Sequence, residues 1–185
     1  MQAVSATVTG GRVEAATASS ERDRAIAALF ATGYPGLVRV AYLLTSDNAL
    51  AEELVQEAFV ATWRAWDRLE DRDAAIGYAH RTVVNLARMS VRRRLLELRH
   101  RVTVAEERVE HDPTGRLDLE RLIARLPMRK RTCVVLRYFA DLSEEETARV
   151  LGVSVDTVKS STARALADLE RQMGRRPGAE GDDGP

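Results

Sequence analysis

The stretch EETARVLGVSVDTVKSSTARAL, from Glu145 to Leu166, carries helical spacing on both sides of one glycine. No other feature restricts the fold as much. Ala148, Gly152 and Val158 stand at the spacing of a helix-turn-helix, in which a small residue lets two helices approach, a glycine makes the turn and an aliphatic side chain anchors the second helix. Ser143 followed by Glu146 matches the S-x-x-E capping box, which satisfies free amides at a helix start, and Ser154 can cap the second helix. Val155, Val158, Thr162, Ala165 and Leu169 then face inward at helical spacing. Asp156, Thr157, Lys159, Ser160, Ala163 and Arg164 fall on the other surfaces, where Lys159 and Arg164 can reach guanine edges or phosphates.

The same period recurs along the chain. Leu37, Val40, Ala41 and Leu44 form an i, i+3, i+4, i+7 stripe, and Val55, Phe59, Thr62, Trp63 and Trp66 form a second after the polar break TSDN. Ile76, Ala79, Val83, Leu86 and Ala87 give a third, so three helices can close one small core. Leu119, Leu122, Ile123 and Leu126 begin a second unit, punctuated by Pro127 and continued by TCVVLRYF. No strand-like alternation occurs, and the reading is all-α with two small helical domains. Residues 21–97 form the first domain and 116–174 the second. Residues 98–115, with EERVEHDPTG, read as a flexible linker, and the tails 1–20 and 175–185 as disordered.

With 185 residues and zero formal net charge, the chain lacks the basic surplus that usually displaces counterions from phosphate. That average hides a segregation. Arg81, Arg88, Arg92, Arg93, Arg94, Arg99 and Arg101 stand against the single acid Glu97 between Ala75 and Arg101, while Asp47 to Asp73 is rich in Asp and Glu. One stretch suits phosphate and the other a basic protein, although either alone reads equally well as a solvated face. Tyr78, His80, Arg81, Asn85 and Arg88 lie along one broad helical face that could stack unpaired bases and hold backbone phosphate.

Signs of catalysis are missing. The lone Cys133 forms no internal disulfide and pairs with none of His80, His100 or His111 at a zinc-ligand spacing. Glu52, Glu53 and Glu57 lack the Glu-x-x-His partners of a di-iron bundle. There is no phosphate loop and no nucleophile elbow. The expectation is a protein that is not an enzyme, with no metal and no cofactor. No run of about 18 apolar residues is present to span a bilayer, and the first twenty residues do not read as a signal peptide, so the reading is cytoplasmic with no membrane insertion.

AEELVQEAFVATW (Ala51 to Trp63) resembles the core-polymerase-binding helix of bacterial sigma factors. LPMRKRTCVVLRYFADLSEEETARVLGVSVDTVKSSTARAL (Leu126 to Leu166) is similar to their fourth conserved region. The chain has no room for the further regions of housekeeping sigma factors, so it resembles the compact extracytoplasmic-function group, SigE-like, built from the second and fourth domains. The resemblance implies a promoter-specificity subunit that binds core RNA polymerase, reads the minus-thirty-five duplex and captures the melted minus-ten strand.

Roles follow for matched positions. Glu52, Glu53, Gln56, Glu57 and Phe59 would dock on the clamp helices of the largest polymerase subunit, and the second unit would meet the flap of the second-largest. Arg68, Tyr78, His80, Arg81, Asn85, Arg88 and Arg92 would serve the minus-ten element, with specificity set by the loop from about Arg68 to Ala75. Tyr78 stands where an aromatic is usual, Arg81 and Asn85 match, and His80 and Thr82 depart from the more frequent residues. Ser154, Asp156, Thr157, Lys159, Ser160, Ala163 and Arg164 would serve the minus-thirty-five element. Ser161 departs from a frequent Arg, which implies one missing phosphate or base contact. The linker would thread toward the active-site cleft and the RNA exit path. An anti-sigma partner is also implied. The residues taken without the resemblance leave a second reading open, a stand-alone dimeric helix-turn-helix transcriptional regulator.

Overall fold

The computed structural model describes residues 6–69, 72–100 and 116–174, and every regular element among them is helical. The order is α1 (Ala6–Thr45), α2 (Asn48–Ala65), a short 3-10 turn (Trp66–Arg68), α3 (Arg72–His100), α4 (Arg116–Arg125), α5 (Met128–Tyr138), α6 (Glu144–Leu151) and α7 (Val155–Met173). The linker expected over residues 98–115 falls mostly outside the described residues, and its first three residues finish α3. The tail 175–185 also lies outside them.

The N-terminal tail needs correction, because α1 is helical from Ala6 and so runs through most of the segment read as disordered. Once the packed part of α1 has nucleated the helix, each further residue adds a hydrogen bond at little cost. The Ala, Glu and Arg residues there are good helix formers. Pro35 also sits inside α1, where it removes one backbone hydrogen bond. The helix persists because Leu29 before the proline and Leu37, Val40, Ala41 and Leu44 after it are all held in the core.

The first three helices form a bundle, as the apolar stripes imply. Buried Ala51, Leu54, Val55 and Ala58 of α2 pack with Ala75, Ala79, Val83, Val84 and Ala87 of α3 and the α1 residues above. The polar break TSDN makes the α1–α2 turn. Ser46 takes a left-handed backbone with φ 58°, and the Asp47 carboxylate accepts the Leu50 amide at 3.1 Å to cap α2. By length and composition the part of α1 from Arg22 to Thr45 could cross a membrane, which differs from the sequence reading. Leu29, Leu37, Val40, Leu43 and Leu44 of that stretch are core residues, while Phe30 is exposed.

In the second bundle α5 is the central helix. Thr132, Cys133, Val134, Val135 and Leu136 are buried in succession, a pattern available only to a helix covered on all sides. The capping box is present. The Ser143 hydroxyl accepts the Glu146 amide at 3.1 Å and the Glu146 carboxylate accepts the Ser143 amide at 2.6 Å. The Ser143 amide and hydroxyl hold the Glu146 carboxyl below its usual value. Gly152 ends α6 in the left-handed region with φ 65°, and the Val153 amide returns to the Ala148 carbonyl at 3.1 Å. Ser154 caps α7 through the Thr157 amide at 3.2 Å.

The two bundles pack directly on each other, which the sequence did not reveal. α1 lies against α4 and α5, α3 lies against α6, and one apolar core runs through both bundles. The Arg39 guanidinium stands 4.9 Å from the Phe139 ring centroid. Arg131 of α5 donates to the Leu44 carbonyl at 3.0 Å, to the Leu126 carbonyl at 3.2 Å and to the Ala124 carbonyl.

A Cβ added at Gly152 would meet nothing within 4 Å, so Gly152→Ala costs only the left-handed backbone, about 1 kcal/mol. Thermal unfolding followed by circular dichroism should show the midpoint lowered by about 3 °C with native helicity unchanged.

Candidate polymerase and nucleic-acid interface

Three helical faces carry the candidate residues. On α7 the first turns present Ser154, Asp156, Lys159, Ala163 and Arg164 to solvent, with Thr157 and Ser160 half-buried beside them. The structure therefore brings all seven minus-thirty-five candidates to the N-terminal half of one helix. Val158, Thr162, Ala165 and Leu169 face the core, which sets the rotation of that face. Lys159 rests 3.7 Å from Glu144 of α6, an exposed pair that exchanges readily for a phosphate or base.

Ser161 does not belong to that face. It is 6 % exposed and lies beside the Cys133 thiol of α5, whose pKa burial raises and Ser161 partly lowers. The expectation of a lost DNA contact at Ser161 is therefore corrected, since the position points into the bundle.

On α3 the minus-ten candidates divide. Arg81, Asn85 and Arg92 are exposed at spacings of four and seven, forming one open stripe. Tyr78, His80 and Arg88 are half-buried. His80 and Arg88 are turned toward the second bundle, with Glu146 near His80 and with Cys133 and Arg129 near Arg88. Arg68 is exposed at the end of the 3-10 turn. The loop expected from Arg68 to Ala75 is shorter than expected, because α3 begins at Arg72; residues 70 and 71 lie outside the described residues.

Burial holds the His80 imidazole below its usual value, and the Ile76 carbonyl and Glu146 carboxylate partly oppose that. Nδ1 lies 3.0 Å from the Ile76 carbonyl, so the neutral ring donates there and carries its proton on that nitrogen.

On α2, Glu52, Glu53, Gln56 and Glu57 are all exposed on one acidic face. Phe59 is not part of it. At 6 % exposure it is buried, with its ring centroid 4.9 Å from Phe30 and 6.4 Å from Tyr34, so it fixes the rotation of α2 instead of meeting a partner. Val60, 47 % exposed, extends the acidic face with an apolar group. Sequence reasoning missed it, although its spacing from Gln56 and Glu57 was a usable signal. Among the described residues no three of His, Cys, Asp and Glu converge as metal ligands would.

A helix-turn-helix with an outward reading face, packed on a bundle with an acidic face and an arginine stripe, defines a DNA reader that also docks on a protein. Comparisons agree. The Sigma-70 region 2 family model matches residues 29–95 and the Sigma-70, region 4 model matches residues 116–169. The RNA polymerase sigma-E factor of Streptomyces avermitilis is 34% identical over 148 residues, covering 78% of this chain and 83% of that one. The ECF RNA polymerase sigma factor SigM of Mycobacterium tuberculosis is 31% identical over 150 residues, covering 79% and 76%. The solved structure of CnrH in complex with the cytosolic domain of CnrY superposes with a TM-score of 0.66 at 28% identity, covering 88% of this chain and 96% of that one. The chain belongs to the sigma-70 family and is an RNA polymerase sigma factor of the ECF group.

The depressed His80 value makes the unfolded chain bind a proton where the folded chain does not. The stability it contributes is complete above about pH 6.5 and is lost as pH falls toward the lower folded value. Urea midpoints measured from pH 7.5 to 5 should fall for the natural chain and flatten over the same range for His80→Gln.

Proposed function

We propose that this sigma factor docks through Glu52, Glu53, Gln56 and Glu57 on the basic clamp helices of the largest polymerase subunit. The helix-turn-helix then reads the minus-thirty-five duplex through α7 while the second bundle meets the flap. The α3 stripe and the short loop before it capture the melted minus-ten strand. The role is promoter selection without catalysis, carried out in the cytoplasm where RNA polymerase works. The observation that carries this reading is the gathering of the seven α7 candidates on the N-terminal half of one helix, five of them exposed and Lys159 and Arg164 among these. A well-placed bidentate contact from such a cation to a base edge is worth about 1–3 kcal/mol of discrimination.

The packing of the bundles adds a condition. His80 and Arg88 lie on the side of α3 that the second bundle approaches, so strand capture with the whole α3 face requires the bundles to part. The solved structure of the sigma factor RpoE from Bartonella quintana is a complex with the anti-sigma factor NepR, and a protein of that kind is the partner expected to hold this chain closed.

Run-off transcription with purified core polymerase on a promoter library tests the reading. Gln56→Ala with Glu57→Ala should weaken core binding about tenfold with helicity intact. Lys159→Ala with Arg164→Ala should leave core binding unchanged and reduce promoter output at least tenfold. Silence of the natural chain on every template would exclude the reading. A separate measurement addresses the packing: Arg39→Ala removes the contact with Phe139, and small-angle scattering of the free chain should then report a larger radius of gyration.

A further inference from the structure

Two residues of α1 that precede the matched sigma-70 region grip the far end of α2. Arg22 places its guanidinium carbon 4.1 Å from the centroid of the Trp63 ring. The Asp23 carboxylate accepts the Trp63 indole N–H at 2.9 Å. Arg22 also reaches the Asp67 carboxylate at 3.7 Å. The indole is thus held on its face by a cation and on its edge by an anion, although it is 40 % exposed.

The location gives these contacts a purpose. Trp63 stands in the last turns of α2, and Asp67 is the middle residue of the 3-10 turn Trp66–Arg68. Leu69 closes that turn by donating its amide to the Trp66 carbonyl at 3.0 Å, and α3 begins at Arg72. The turn is therefore braced by Arg22, and Arg68 at its end is one of the minus-ten candidates. A base taken from the duplex loses stacking and needs a receptor of fixed shape. A side chain that contributes to such a receptor is held in place by its neighbours.

We infer that Arg22 and Asp23 are positioning residues for minus-ten strand capture, acting through Trp63 and Asp67 to hold the 3-10 turn that carries Arg68. The inference rests on the proposal that Arg68 and α3 take part in minus-ten strand capture. Arg22 is suited to the task because its planar fork can stack on a ring and reach a carboxylate at once, which a lysine ammonium does less well. Asp23 needs only one acceptor oxygen, so an asparagine can replace it.

The test uses holoenzyme reconstituted from full-length chain and core polymerase, with a fork-junction DNA whose single-stranded minus-ten segment comes from a promoter selected by run-off transcription. Arg22→Ala with Asp23→Ala should reduce fork-junction affinity about tenfold while holoenzyme assembly and minus-thirty-five duplex binding stay unchanged. Asp23→Asn should retain affinity, and Arg22→Lys should fall between. Trp63 emission, read in a Trp66→Phe background, should shift to the red in the double variant. The thermal midpoint of each variant separates loss of positioning from loss of fold. Unchanged fork-junction affinity, or loss of assembly in place of strand capture, overturns the inference. Arg81→Ala with Asn85→Ala in the same assay identifies which claim has failed. If that variant also leaves fork-junction affinity intact, the minus-ten reading of α3 falls and takes the inference with it; if it reduces affinity while the Arg22 and Asp23 variants do not, only the bracing role falls.

Discussion

Arg131 joins the ends of two helices that would otherwise leave carbonyls unpaired. The last carbonyls of any α-helix lack intrahelical donors, and the guanidinium of Arg131 supplies donors to Leu44 at the end of α1 and to Ala124 and Leu126 at the end of α4. A cation at a helix C-terminus also meets the negative end of the macrodipole. Burial lowers the pKa of this guanidinium, yet an arginine keeps its charge in proteins, so the bridge is a permanent one. It ties the end of the first helix to the entry of the central helix α5. The shared apolar core and the separation of the reading faces both depend on that docking.

Around this bridge the chain sorts its charges by face. Acidic side chains project from α2 and basic ones from α3, while buried Phe59 and Val83 hold the two helices in rotation. The zero net charge is then a sum over two surfaces of opposite sign. It also limits indiscriminate attraction to DNA, since the salt-dependent phosphate term grows with every uncompensated cation. The bundles meet across α3, so the half of its polar face containing His80 and Arg88 is covered while the half containing Arg81 and Asn85 stays open.

The caps, the turn and the outward face of the candidate site could be read before any fold was known, and the physical reason lies in local rules. The Ser143–Glu146 box, the Gly152 turn and the Ser154 cap each act within a few residues, so the spacing alone places them. The outward face of α7 followed from the same helical period. Phe59 and Ser161 show where such reading stops. Each lies in a motif whose neighbours are exposed, and each is buried because of a distant partner, Phe30 and Tyr34 in one case and Cys133 in the other. The α1 extension back to Ala6 escaped notice because its small residues carry no stripe, and Pro35 is tolerated only because core packing on both sides outweighs one lost hydrogen bond.

The sequence by itself determined the helices, their caps and turns, the segregation of charge and the family, because these depend on residue type and spacing over short distances. Only the tertiary structure decided that the two bundles share a core, that His80 and Arg88 are half covered, and that Arg22 and Asp23 reach Trp63 and Asp67. These contacts join residues tens of positions apart, and no local period encodes which helical faces will meet. They are set by how the apolar surfaces fit and by which carbonyls and carboxylates remain for a guanidinium to satisfy.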